Sequence, residues 1–223
     1  MRDSPYELDP VSKIKVGLLA LVALVVGVLL ALTIASGQVD ETRYISLYPE
    51  PRALPDFVLM DHNGQVLQAV DFEQQWTLVF VGYTFCPDIC PTTMAELTSI
   101  YPALQQLAST YPIRVTFISV DPARDTTERL AEYVNFFHPQ FIAASGEHAQ
   151  LFPLVRAMGM MYSMSDSTEN PNYLVDHSSS VVLVNPDGNV IGRFKPDFVA
   201  GKLAISDGQK ILQDLPVLIS NWP

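Results

Sequence analysis

The sequence predicts an α/β fold, a central mixed sheet with helices on both faces. Three observations carry that expectation. Residues 76–85 (WTLVFVGYTF) and 113–120 (IRVTFISV) are apolar on both faces, as interior strands of a covered sheet are. Each run is followed by a stretch whose apolar residues recur at helical spacing. Residues 179–184 and 189–194 flank Asn185-Pro186-Asp187-Gly188, the pattern of a hairpin. Strands alternating with helices, closed by a hairpin and a last helix, make an α/β layout.

From the N-terminus, residues 16–35 (VGLLALVALVVGVLLALTIA) carry no charge over a length that spans a bilayer as one helix. Ala35-Ser36-Gly37 is a poor signal-cleavage site, so an uncleaved anchor is expected. Lys13 and Lys15 precede the span, and Asp40 and Glu41 follow it. The positive-inside rule then places residues 1–15 in the cytoplasm and the rest outside, in a bacterial inner membrane with the domain in the periplasm. Asp3, Glu7 and Asp9 argue against a mitochondrial transit peptide. That compartment is oxidising, so two thiols can rest there as a disulfide. Residues 36–54, with Pro49 and Pro51, read as a linker, and the globular domain is expected over 55–223.

Within the domain, Asn63-Gly64 signals a type I′ hairpin between residues 56–60 and 65–70. Pro91 suits the first position of the next helix, with Cys90 as a boundary residue outside it. Pro102 predicts a kink or restart. Asp125-Thr126-Thr127-Glu128 has capping-box spacing and opens a helix to Phe137. Residues 141–144 form a weak strand, 148–158 a helix, 165–173 a polar loop and 203–219 a final helix weakened at its front by Gly208.

The net charge is −11, and the first 15 residues sum to zero, so the excess lies beyond the apolar span. An acidic domain disfavours nucleic acid and anionic membrane surfaces.

The chemistry centres on Gly82-Tyr83-Thr84-Phe85-Cys86-Pro87-Asp88-Ile89-Cys90-Pro91, which holds the two cysteines of the chain. Thiols at a strand-to-helix turn meet the positive end of the helix dipole, which lowers their pKa. Such a pair can hold a soft metal, form a disulfide, or do both. Two cysteines alone do not complete a zinc tetrahedron. His62, His138, His148 and His177 are the available nitrogen donors. The first three are most simply solvated. His177 stands at a strand entrance from which it reaches the first βα turn, with Asp176 placed to orient its second nitrogen. Spacing does not choose His177 over the others. Asp121 and Asp125 follow the second interior strand, where α/β sheets bind ligands, but each is equally a turn or cap residue. Met158, Met160, Met161 and Met164 are read as core filler rather than copper ligands.

The chain resembles the Sco/SenC family of membrane-anchored, thioredoxin-like copper-binding proteins. The resemblance rests on GYTFCPDICPTT at 82–93, SVDPARDT at 119–126, Asp176-His177-Ser178 and the single N-terminal anchor, over roughly residues 55–195. It implies a thioredoxin-like fold and one copper ion held by Cys86, Cys90 and His177. It also implies a part in building the copper centre of cytochrome c oxidase subunit II, supplied by an upstream periplasmic copper donor. Asp121 and Asp176 are secondary site candidates. The tail from Pro196 carries none of these motifs. The expected function is a non-enzymatic copper metallochaperone, with His177, on a flexible loop, the first ligand to release. The competing reading is a thiol–disulfide reductase for oxidase copper-site cysteines, through a redox disulfide Cys86–Cys90. A peroxiredoxin-like peroxidase would require Arg124 or Arg156 beside Cys86.

Overall fold

The computed structural model describes residues 10–35, 42–164, 173–201 and 203–222. The expected cytoplasmic residues 1–9, the first part of the linker and most of the 165–173 loop lie outside the described residues. The chain divides into two units, residues 1–41 and 42–223.

The first unit holds α1 (Pro10–Ala35), a helix of 26 residues. Side chains are described for residues 13–28 of it, and all of these are exposed, Leu19 and Leu24 among them. Among the described residues no helix is long and apolar enough to cross a membrane. The C-terminal third of the expected span, 29–35, has no described side chains.

The second unit follows in chain order as β1 (Ile45–Ala53), β2 (Leu59–Asp61), β3 (Val66–Leu67), β4 (Trp76–Gly82), α2 (Ile89–Leu104), β5 (Ile113–Ser119), α3 (Thr127–Phe137), β6 (Ile142–Ser145), α4 (His148–Ala157), β7 (Tyr162–Met164), β8 (Val175–His177), β9 (Val181–Val184), β10 (Asn189–Phe194) and α5 (Gly208–Ser220). Eight strands form one mixed sheet in the order β1-β10-β9-β4-β5-β6-β2-β3, with helices flanking it. β4, β5 and β6 run parallel, and β9 pairs antiparallel with β4. β7 and β8 form a separate antiparallel pair. All seven residues of β4 are buried, as the double-sided apolar run predicts. The core packs around Leu78, Phe80, Phe117 and Met94.

Several expectations shift. The stretch read as a linker carries β1, an edge strand on β10. Its prolines fall where the register breaks between Leu47 and Arg52, and an edge strand tolerates prolines that a central one does not. Three N–H groups entering β1 are taken by one carboxylate. Asp214 of α5 accepts from Arg43 (2.9 Å), Tyr44 (2.7 Å) and Ile45 (2.7 Å). The β2–β3 turn has positive φ at Gly64 but not at Asn63, so it is not type I′. Asp61 stabilises it by accepting from the N–H groups of Asn63 and Gln65, each at 2.8 Å.

α2 begins at Ile89, not Pro91, with Asp88 as its cap. Pro91 still lies in the first turn, where N–H groups have no intrahelical partner. Cys90 is therefore helical. Pro102 sits in the last turn of a helix that continues to Leu104. α3 is capped by Thr126, whose Oγ1 accepts from Arg129 N, and not by Asp125. α5 starts at Gly208 behind an Asp207 cap. A Cβ on Gly208 would lie 2.7 Å from both Glu96 Oε1 and Ile100 Cγ2, so the glycine lets α5 approach α2.

Candidate metal centre

β4 ends at Gly82, and the chain turns through residues 83–88 into α2. The turn is held from below. Asp125 is buried and accepts from Thr84 N (2.9 Å), from Thr84 Oγ1 (2.7 Å) and from the Ser119 hydroxyl. Arg129 Nε donates to Thr84 Oγ1 at 3.0 Å. Burial raises the Asp125 pKa, opposed by the Ser119 and Thr84 hydroxyls.

Cys86 and Cys90 are free thiols. Cys90 N–H donates to Cys86 Sγ at 3.4 Å, as a helix-terminal N–H does to an anion. Cys90 is fully buried, and its Sγ lies over Gly82, where a Cβ would meet it at 2.6 Å. The two thiols differ strongly. The hydrogen bond from Cys90 holds Cys86 down at about 4 against the opposing effect of burial, helped by His177 and by the backbone N–H groups of Asp88 and Cys90. Burial, then the neighbouring Cys86, pushes the Cys90 thiol far up.

The structure brings His177 to this pair. It ends β8, opposite Tyr162 of β7, rather than riding a loop. Its ring stands edge-on to Phe80 (6.0 Å) and Tyr83 (5.8 Å). Nδ1 lies 3.2 Å from the Ser178 carbonyl oxygen, which fixes the ring's orientation. Nε2 faces the thiols, 3.3 Å from Cys90 Sγ. The expected orienting role of Asp176 is not seen. Asp176 is exposed and alternates to the other side of β8, so the Ser178 carbonyl does that work.

Among the described residues, Cys86, Cys90 and His177 bring their ligand atoms within 4.8 Å of one another. Bonds of ~2.3 Å to sulfur and ~2.0 Å to nitrogen would set the donors of a trigonal site about 3.7–4.0 Å apart. The three residues therefore fit one ion with little adjustment.

Asp121 is fully buried outside this cluster. Its carboxylate pairs with Arg124 Nε (2.5 Å) and accepts from the Tyr173 hydroxyl; burial, and then this hydrogen bond, raises the tyrosine pKa to about 12. Arg124 bonds the Asp121 carboxylate and the Tyr173 carbonyl. His62, His138 and His148 are half-buried and engaged elsewhere: His62 Nδ1 accepts from Ala143 N, His138 Nδ1 from Gln140 N, and His148 Nδ1 lies 2.8 Å from the Tyr162 hydroxyl. Met158 and Met160 are core residues, while Met161 is exposed. Phe80 and Tyr173 carry no sequence signal as site residues, whereas Gly82 and Tyr83 lie inside the cysteine motif, and a glycine closing an apolar strand run marks a close approach.

The SCO1/SenC family profile matches residues 47–212. The chain belongs to the SCO1/SenC family. The match reaches into the tail that the sequence motifs left unassigned, and it begins within β1. The chain is similar to the mitochondrial protein SCO2 homolog of Bos taurus, with 39% identity over 133 residues, 60% of this chain and 50% of that protein. It is also similar to a putative copper-binding protein of Stutzerimonas stutzeri, with 34% identity over 151 residues, 68% of this chain and 73% of the relative. The chain spans about half the length of the first curated relatives it matches. Among solved structures, the copper-bound ScoI of Arabidopsis thaliana superimposes with a TM-score of 0.64 at 27% identity, over 76% of this chain and 99% of that one.

Proposed function

We propose that this protein is a copper metallochaperone. The observation that carries the reading is the convergence of two free thiols and the His177 imidazole, with ligand atoms within 4.8 Å of one another. Two thiolates and an imidazole form a soft donor set, which selects Cu(I). A relative described as a putative copper-binding protein, and a similar structure with copper bound, support the same cargo. Three protein ligands leave a position for an acceptor's thiolate, so copper passes by ligand exchange. His177 is the ligand whose release opens the site further, since it is carried by a two-stranded hairpin and not by the main sheet. The acceptor in this reading is cytochrome c oxidase subunit II, and an upstream periplasmic protein supplies the copper. α1 anchors the protein in a bacterial inner membrane with the domain in the periplasm. Support comes from the uncharged run 16–35 and the lysines before it.

The test is titration of the reduced full chain with copper. One equivalent bound with thiolate-to-copper charge-transfer absorption supports the proposal. A protein that stays colourless and metal-free with either copper redox state overturns it.

A second reading is favoured by one observation, the asymmetry of the thiols. Cys86, held at about 4, is a buried thiolate that keeps 9% exposure, and Cys90 is a thiol with none. That is the arrangement of an attacking and a resolving sulfur. Cys86 would attack an acceptor disulfide to form a mixed disulfide. Cys90, giving up its proton, would then displace the reduced acceptor and close Cys86–Cys90. Such a reductase needs both cysteines but not His177. Normal oxidase assembly by His177→Ala, with loss in Cys86→Ala, selects it.

A further inference from the structure

The three ligands come from two separate pieces of chain. The thiols ride the β4–α2 turn, whereas His177 rides the β7–β8 hairpin, outside the eight-stranded sheet. The hairpin is fixed at both ends. Near the start of β7, the Tyr48 hydroxyl donates to the Met158 carbonyl at 2.8 Å, and Arg193 Nη1 donates to the Gly159 carbonyl at 2.5 Å. At the approach to β8 lies a tighter cluster. The buried Tyr173 hydroxyl donates to Asp121 Oδ1. Arg124 Nε donates to Asp121 Oδ2, and Arg124 Nη2 donates to the Tyr173 carbonyl at 3.0 Å. The same guanidinium lies 3.6 Å from the centroid of the Tyr173 ring. Both oxygens of Asp121 are thereby occupied, which leaves this carboxylate no part as a metal ligand.

We infer that Asp121, Arg124 and Tyr173 form a clasp that sets the direction of β8 and so positions His177 over the thiol pair. Tyr173 and His177 are four residues apart, about 13 Å of extended chain, so the hairpin is a short lever. Asp121 lies two residues beyond β5, whose last residue, Ser119, pairs with Gly82 at the end of the β4 strand that delivers the thiols. The clasp thus ties the histidine strand to the framework that carries the cysteines. An aspartate, arginine and tyrosine together supply what this needs: a planar guanidinium can bond a carboxylate and a carbonyl while stacking on a ring, and lysine cannot. These are positioning residues, and their effect on copper rests on the copper reading above.

The experiment compares Tyr173→Phe and Arg124→Lys in the full chain. In metal-free protein, hydrogen exchange of the β8 amides should rise about tenfold in each variant, the order expected for one lost hydrogen bond to a charged group, with β4 and β5 unchanged. Unchanged exchange in β8 overturns the clasp. In copper-loaded protein, Cu(I) affinity by competition with a chelator should fall about tenfold in Tyr173→Phe and no further when the substitution is made in His177→Ala, because the clasp acts through that histidine. Equal weakening in both backgrounds marks a general structural effect and overturns the positioning role. If Tyr173→Phe does not fold, Arg124→Lys, which leaves the tyrosine hydroxyl paired, carries both comparisons. Failure of the unaltered chain to take up copper defeats the copper reading, and the exchange measurement still decides the clasp.

Discussion

Gly82→Ala isolates the placement of one sulfur. Gly82 lies in β4 with ordinary strand φ, so alanine is compatible with the backbone there. The new Cβ, however, would stand 2.6 Å from Cys90 Sγ and 3.1 Å from Phe117 Cε2. Ordinary contact begins near 3.4 Å, so the sulfur must retreat by 0.8 Å (3.4 minus 2.6). Cys90 is fully buried, so its sulfur can move only against surrounding side chains. Overpacking of this kind destabilises by about 1–3 kcal/mol. The displaced sulfur also leaves its position 3.3 Å from His177 Nε2, which loosens a donor set that fits one ion. Disturbing the immediate support of a metal ligand weakens binding by about 10- to 100-fold. Thermal unfolding and chelator competition for Cu(I) read the two effects separately. Full copper affinity in a folded Gly82→Ala protein would refute the placement of Cys90 Sγ against this glycine.

Other outcomes follow from the same geometry. Cys86→Ala, Cys90→Ala and His177→Ala should each lose tight copper binding in a metal titration, and near-normal retention by any of them removes that residue from the ligand set. Because the folded Cys86 pKa is depressed to about 4, its alkylation by iodoacetamide should stay fast down to about pH 5, with Cys90 protected. A rate that climbs only through pH 8–9 contradicts the asymmetry. By linkage, this depressed value contributes stability that is full above the unfolded thiol pKa and is lost as pH falls toward 4. The Cys86→Ala variant should therefore show a shallower decline in urea stability across that window. Asp214→Ala strands three N–H groups at the start of β1 and should destabilise the domain by about 3 kcal/mol, with earlier proteolysis within residues 42–53.

The sheet was legible where sequence pattern and burial coincide. β4 and β5 are apolar on both faces because both faces are covered, and the β9–β10 hairpin carries its turn residues in plain view. β1 was hidden by Pro49 and Pro51, which read as linker signals until the partner strand is known. Asp125 has capping spacing in the sequence, yet long-range bonds from Thr84 and Ser119 claim it instead. Asp214 sits on the buried stripe of α5 with Ile211 and Leu215, and an acid in an apolar stripe is the mark of a buried acceptor. At the site, the cysteine spacing was sufficient to choose the thiols. The choice of His177 among four histidines came from resemblance. Its physical basis is the β7–β8 pairing, which no local pattern encodes. The clasp on Tyr173 joins residues 52 apart in sequence and was invisible for the same reason.

The most direct test of the copper centre is X-ray absorption at the copper edge of the loaded full chain. The geometry predicts two sulfur scatterers and one imidazole nitrogen, with the nitrogen signature lost in His177→Ala. A first shell of oxygen and nitrogen alone, or a spectrum unchanged in His177→Ala, would contradict a site built from Cys86, Cys90 and His177.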